Sequence, residues 1–166
     1  MTVTTAWIFL CLQEIKCTGF QLEANLKKTS NKMLWMVTSH QDGKGGAAIG
    51  INFKHSSFVS NVVKDDWFIT VTVSSPFMFT LVNVYAHNQA LVRADVWKKI
   101  NQIQGQIILL GDFNMVETLK DIWKGLGQPI QGSELHEWND LVEDKSLIDM
   151  SACSGFSWTN HQKGEF

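Results

Sequence analysis

A chain of 166 residues is long enough for one domain with a sizeable core and too short for two of ordinary size. Its hydrophobic fraction of 45%, with seven Trp and ten Phe, excludes a disordered polypeptide, and 14 basic against 16 acidic side chains give a formal net charge of -2. That balance gives no support to a strongly basic nucleic-acid binder, although a bound divalent cation can supply positive charge locally. Cys11, Cys17 and Cys153 form an odd set without CxxC spacing, so neither a disulfide framework nor a zinc site is indicated. The apolar run Ala6–Leu12 is too short to cross a bilayer and lacks the basic flank of a signal peptide. The expectation is a soluble protein of a reducing, intracellular compartment, nucleus or cytoplasm, with no membrane partner.

In chain order, the β-prone run Ala6–Leu12 reads as a buried strand that ends in Gln13–Glu14. Leu22–Lys28 is a weak helical segment, with Lys27 and Lys28 toward solvent. Met33–Val37 is a short strand, and His40–Gly46 is rich in turn residues. Strands are expected at Ala47–Phe53, at Trp67–Val73 with Trp67, Ile69, Val71 and Val73 on one face, and from Phe77 to Tyr85 behind Pro76. This strand order suggests antiparallel neighbours.

Ala90–Ile103 is expected to be a helix, with Leu91, Ala94, Trp97 and Ile100 on its apolar stripe and Arg93, Lys98 and Lys99 elsewhere. Behind Gln106, the four aliphatic residues Ile107–Leu110 form an uninterrupted apolar strand, read as central and covered on both faces, which ends at Gly111–Asp112–Phe113–Asn114. Ser133 is positioned to cap a helix over Glu134–Asp144 that buries Leu135, Trp138, Leu141 and Val142. Leu147–Met150 and Gly155–Asn160 are short strands or turns. The chain reads as one mixed α/β domain over residues 1–166.

The polar groups at the strand ends are the candidates for chemistry. Glu14 is either a ligand for a hard ion such as Mg²⁺ or Mn²⁺ or an exposed surface acid. Tyr85 either donates to a phosphate oxygen or caps the core with its hydroxyl to water, and Asn83 and Asn88 lie beside it. Asp112 and Asn114 project to the same side of an extended exit, or simply shape a turn. The five histidines show no ligand spacing and read as surface residues. Taken together, an acid to hold a metal, an acid to take a proton from water and amides to grip a phosphate are the parts of metal-assisted phosphodiester hydrolysis.

The same residues carry a resemblance. Leu12–Lys16 resembles the LQE[ST]K motif of the endonuclease/exonuclease/phosphatase superfamily, Val82–Asn88 its NVYAPN segment, Leu110–Asn114 its LGDFN motif, and Phe156–Asn160 its later FTWTN stretch. The likeness runs in order from about Leu12 to the C-terminus, and is greatest to the endonuclease domain of plant LINE-type (non-LTR) retrotransposons. It implies a four-layer α/β sandwich, two packed β-sheets flanked by helices. It further implies a Mg²⁺- or Mn²⁺-dependent nuclease acting on DNA. Glu14 would then be the metal ligand, Asp112, Asn114 and Tyr85 catalytic, and Asn88, Asn83 and Trp158 substrate-binding.

The sequence also departs from that pattern. The strand with a [WS]-N motif that opens the family's domain has no counterpart before Leu12, and neither the S[RK][IL]DR segment nor the SDH motif is found. His87 stands where the family has proline. The fold is therefore expected to be incomplete at both ends, with little or no catalysis and with sheet edges open to self-association. The other readings are a non-catalytic scaffold and a hydrolase of small phosphoesters.

Overall fold

The computed structural model describes residues 8–15, 19–39, 45–118 and 129–150. Two sheets pack face to face. In the first, β1 (Phe9–Leu12), β2 (Met33–Ser39) and β3 (Gly46–Asn52) run in the order β1-β3-β2, all antiparallel. The second is ordered β4-β5-β6-β7, from β4 (Val59–Lys64), β5 (Phe68–Val73), β6 (Phe79–Tyr85) and β7 (Ile107–Asp112). Its first pairs are antiparallel, whereas β6 and β7 run parallel, joined by the helix α2 (Ala90–Asn101). That crossover is what a parallel pair requires.

Alternation along the strands builds the layers. Ile49, Ile51, Ile69, Val71 and Leu81 fill the space between the sheets, with Phe9, Cys11, Tyr85 and Leu110 at its margins. The opposite face of the second sheet, with Phe68, Val82 and Val84, is covered by α2 and α3 (Gly132–Asp144) through Trp97, Ile100, Trp138 and Leu141. Trp97 meets Phe113 and Trp138 there edge to face, while Phe113 and Trp138 are tilted to one another, with ring centroids 5.2–5.8 Å apart. On the far side of the first sheet, α1 (Gly19–Thr29) lays Leu22 against Trp35, Val37 and Ala48. Helix, sheet, sheet, helices: the expected four-layer α/β sandwich is present in the described residues.

Several expectations need correction. β1 and β7 are edge strands among the described residues, and Leu10 (40% exposed) and Ile108 (48%) face solvent, so neither strand is covered on both faces. Their apolar runs report one face in the inter-sheet core and the other only partly shielded. The strands expected at Ala47–Phe53 and Trp67–Val73 are not neighbours in one sheet; β3 and β5 lie in different sheets and stack. Between them lie a 3₁₀ turn, Phe53–Phe58, and the whole of β4, neither of which was expected. β4 escapes recognition because its Ser60–Asn61–Val62 segment contains a bulge that breaks the alternation.

Trp67 precedes β5 and packs with the helix-side cluster, away from Ile69 and Val71. β6 begins at Phe79, leaving Phe77 and Met78 exposed. In α2 the stripe is rotated: Leu91 is 78% exposed, while Arg93 is buried. Ser133 is not a cap, because α3 starts at Gly132 behind Gln131. Residues 147–150 form no regular element, and Ala6, Trp7, residues 40–44 and the Gly155–Asn160 segment lie outside the described residues.

Candidate active site at the strand exits

β6 and β7 run in the same direction, so their carboxyl ends emerge together, the usual place for function in parallel sheets. Tyr85 and Asp112 are direct register partners there, and Asn83 pairs with Leu110 one step below. Asn83, Tyr85, Leu110 and Asp112 share the face turned toward the first sheet, by the alternation of a strand.

Gly111 makes the parallel approach possible. Its φ is +138°, and a Cβ built on it would lie 2.0 Å from the Val84 carbonyl oxygen. Three residues on, Asn114 takes a left-handed φ of +47°. Its backbone N–H donates to Asp112 Oδ1 (3.0 Å), and its Nδ2 donates to the Ala86 carbonyl (2.7 Å). The Ala86 N–H in turn donates to the Asp112 carbonyl (2.9 Å). The exit of β7 and the exit of β6 are thus sewn together beyond the last ladder bond, with the Asp112 side chain exposed at the seam.

The first sheet reaches the same place through Asn83. This side chain is fully buried between the sheets, donating through Nδ2 to the carbonyls of Leu12 (3.0 Å) and Ala48 (2.9 Å) and accepting from Gln13 Nε2 (2.6 Å). Both amide hydrogens are committed, which does not fit the expectation that Asn83 binds substrate. It instead fixes the exit of β1, so that Glu14, exposed and at a φ of +54°, leaves the sheet beside the other exits. The start of β3 joins them: Gly45 lies against the Tyr85 ring so closely that a Cβ there would sit 2.3 Å from it.

Behind the site, the Tyr85 N–H donates to the Trp67 carbonyl (2.9 Å), and the Trp67 ring meets His87 edge-on at 4.8 Å. His87 Nδ1 accepts the Gln89 N–H (2.9 Å). Asn88 is exposed, and its carbonyl accepts from Arg93. Arg93 and Glu134 are the residues that sequence reasoning missed. A lone arginine on a helix reads as a solvated charge, and its partner lies 41 positions away, beyond any periodic signal. Trp158 lies outside the described residues.

Among the described residues no group of three or more His, Cys, Asp or Glu side chains is gathered to hold a metal. The exits therefore present single carboxylates, Glu14 and Asp112, both exposed, and one or two carboxylates with several retained waters is the way a hard divalent cation is usually held. Cys11, between the sheets next to Leu12, is no competing nucleophile: burial pushes its thiol up to about 11 from 9.0. Among the described residues no helix is long and apolar enough to cross a membrane.

No family model matches the sequence, and no curated protein matches it. Solved structures do. TDP2 from Caenorhabditis elegans aligns with a TM-score of 0.43 at 14% identity, over 75% of this chain and 41% of that one. A truncated form of Caenorhabditis elegans TDP2 gives 0.44 at 15%, over 75% and 54%. ANGEL2, a 2′,3′-cyclic phosphatase, gives 0.40 at 18%, over 66% and 40%. The chain therefore spans about half the length of these proteins, or less.

Proposed function

We propose that this chain is a retroelement-derived, Mg²⁺-dependent phosphodiester hydrolase domain of the endonuclease/exonuclease/phosphatase kind, with DNA as its substrate. The observation that carries the reading is the convergence of the motif residues. Tyr85 and Asp112 pair in register, Asn114 is bonded back to Ala86, and Asn83 ties in the strand that delivers Glu14. Sequence likeness supplies the class; the geometry supplies a reason for each residue type.

Glu14 would hold the ion, which when bound would supply Lewis-acid polarisation of a phosphoryl oxygen and offset charge developing in the transition state. Asp112, exposed and fixed by the Asn114 N–H, orients the attacking water and takes its proton. Asn114 Nδ2 carries two hydrogens; one is given to Ala86, and the other is the donor for a phosphate oxygen. The Tyr85 hydroxyl and the Asn88 amide donate to the same group from the β6 side. Trp158 is assigned to substrate binding by the same resemblance alone.

The exposed apolar residues Leu10, Val62, Val63 and Ile108 on the edge strands, with Ile8 just before β1, favour self-association at the sheet edges. A phosphoesterase of small substrates and a non-catalytic scaffold are the competing readings. Incubation with supercoiled plasmid and Mg²⁺ separates them. Nicking by the wild type that is lost in Asp112→Ala and in EDTA supports the proposal, and equal, negligible nicking by both proteins refutes it.

A further inference from the structure

We infer that Arg93 and Glu134, which touch no substrate in the reading above, are positioning residues that set the shape of the Ala86–Asn88 loop, and that Glu134 acts on the site through Arg93. The inference rests on that reading for its consequence in catalysis, but the geometry stands by itself. The Arg93 guanidinium is buried and divided in two. Its Nη1 donates to the carbonyls of His87 (3.0 Å) and Asn88 (2.6 Å). Its Nε and Nη2 face the Glu134 carboxylate as a bidentate pair, with Nη2 2.9 Å from Oε2 and Nε bonded to Oε1.

The preceding carbonyl, Ala86, is taken by Asn114. Three successive carbonyls of the loop that follows β6 thus accept hydrogen bonds from side chains outside it, Asn114 just beyond β7 and Arg93 on α2. A loop held only by water would leave Asn88 free to swing; here its backbone is fixed by a charged donor. Glu134 supplies what that donor needs. A guanidinium this deep keeps its charge, so the paired anion offsets the cost of burying it, and the planar fork fixes its direction as well as its depth. α3, which contributes no residue to the exits, therefore governs the site from behind.

The test uses Glu134→Gln, Arg93→Lys and the double variant Arg93→Met/Glu134→Leu. The double variant replaces the buried pair by apolar groups of similar size and is expected to remain folded. Asn101→Ala, which removes a hydrogen bond between α2 and α3 at their other ends, is the control. Two readouts are independent of activity: the Trp67–His87 ring contact seen by NMR, and hydrogen exchange of the Ala86 amide, which is bonded to Asp112. In the folded variants the ring contact is expected to be lost and Ala86 exchange to accelerate about tenfold, as for loss of a charge-assisted hydrogen bond. In the control both stay as in the wild type.

The plasmid-nicking kcat should fall about 10- to 100-fold in the variants, with the KM for DNA held, as for a misplaced catalytic group. Unchanged Ala86 exchange and an intact ring contact in a folded variant would overturn the inference. So would rapid solvent exchange of the Arg93 guanidinium protons in the wild type, a measurement that requires no variant. A wild type that never nicks plasmid defeats the functional reading alone, and the exchange data still decide the positioning role.

Discussion

Gln13 and Asn83 meet across the two sheets, Nε2 to Oδ1 at 2.6 Å, and this bond fixes the end of β1 to the middle of β6. The residues are 70 positions apart in sequence and lie on strands that share no ladder. A fully buried amide thus anchors the chain one residue before an exposed carboxylate, Glu14. Asn83→Ala should leave Gln13 and the carbonyls of Leu12 and Ala48 without their partner. Each buried group left unpaired costs about 1–3 kcal/mol, so the urea midpoint should fall sharply, and Mg²⁺ affinity with it. Asn83→Ala with unchanged metal affinity would show that the clamp does not position Glu14.

Gly111 and Gly105 both have positive φ, +138° and +82°, but their surroundings differ. A Cβ on Gly111 meets the backbone of Val84, whereas nothing lies within 4 Å of one on Gly105. Gly105→Ala should cost about 1 kcal/mol for the strained backbone alone. Gly111→Ala must also force β6 and β7 apart, and is expected to be several times more damaging in thermal melts. Comparable losses from the two would contradict the close approach.

Gly45→Ala separates stability from site geometry. The added methyl collides with the far end of a side chain, the Tyr85 ring, and the ring can turn away. A near-normal melting temperature with a weakened nicking rate is expected. A parallel loss of both would mean that Gly45 serves the core instead.

The helix-side core hangs on Trp97, which is completely buried and in edge contact with Phe113 and Trp138. Trp97→Ala should destabilise by about 3–5 kcal/mol in denaturant titrations. Phe113 stands between Asp112 and Asn114, so the cavity should loosen the β7 exit too, visible as faster amide exchange at Asn114.

Cys11 predicts an alkaline limb in stability. Its folded pKa is raised by burial from 9.0 to about 11, so the folded state holds the thiol proton more tightly than the unfolded state. The contribution is complete below pH 9 and is lost as pH rises toward about 11. In a background of Cys17→Ser and Cys153→Ser, Cys11 should react slowly with iodoacetamide at pH 8, and Cys11→Ala should flatten the alkaline limb. Rapid alkylation of the folded protein would contradict the burial argument.

Most strands and all three long helices among the described residues were legible from periodicity, because Ile69–Val71, Leu81 and Trp97–Ile100 bury faces that the sequence spells out locally. Asp112, Asn114 and Tyr85 stood out for the same reason, as polar groups ending apolar runs. Layer assignment was not legible, since nothing local tells β3 from β5 as members of one sheet or two. Nor was the Arg93–Glu134 pair, whose meaning depends on a helix packing that brings distant charges together in the dark of the core. Asn83 misled for a related reason: an amide next to Tyr85 looks available to substrate until the opposite sheet is seen to consume it.

In the proposed function the exits of β1, β6 and β7 form a single metal-dependent site. Mn²⁺ added to ¹⁵N-labelled protein tests it most directly, by paramagnetic broadening. Broadening is predicted at Glu14, Tyr85, Asp112 and Asn114 together at low Mn²⁺, and its loss in Glu14→Gln. Broadening confined to other acidic surfaces, or unchanged by Glu14→Gln, would contradict the account.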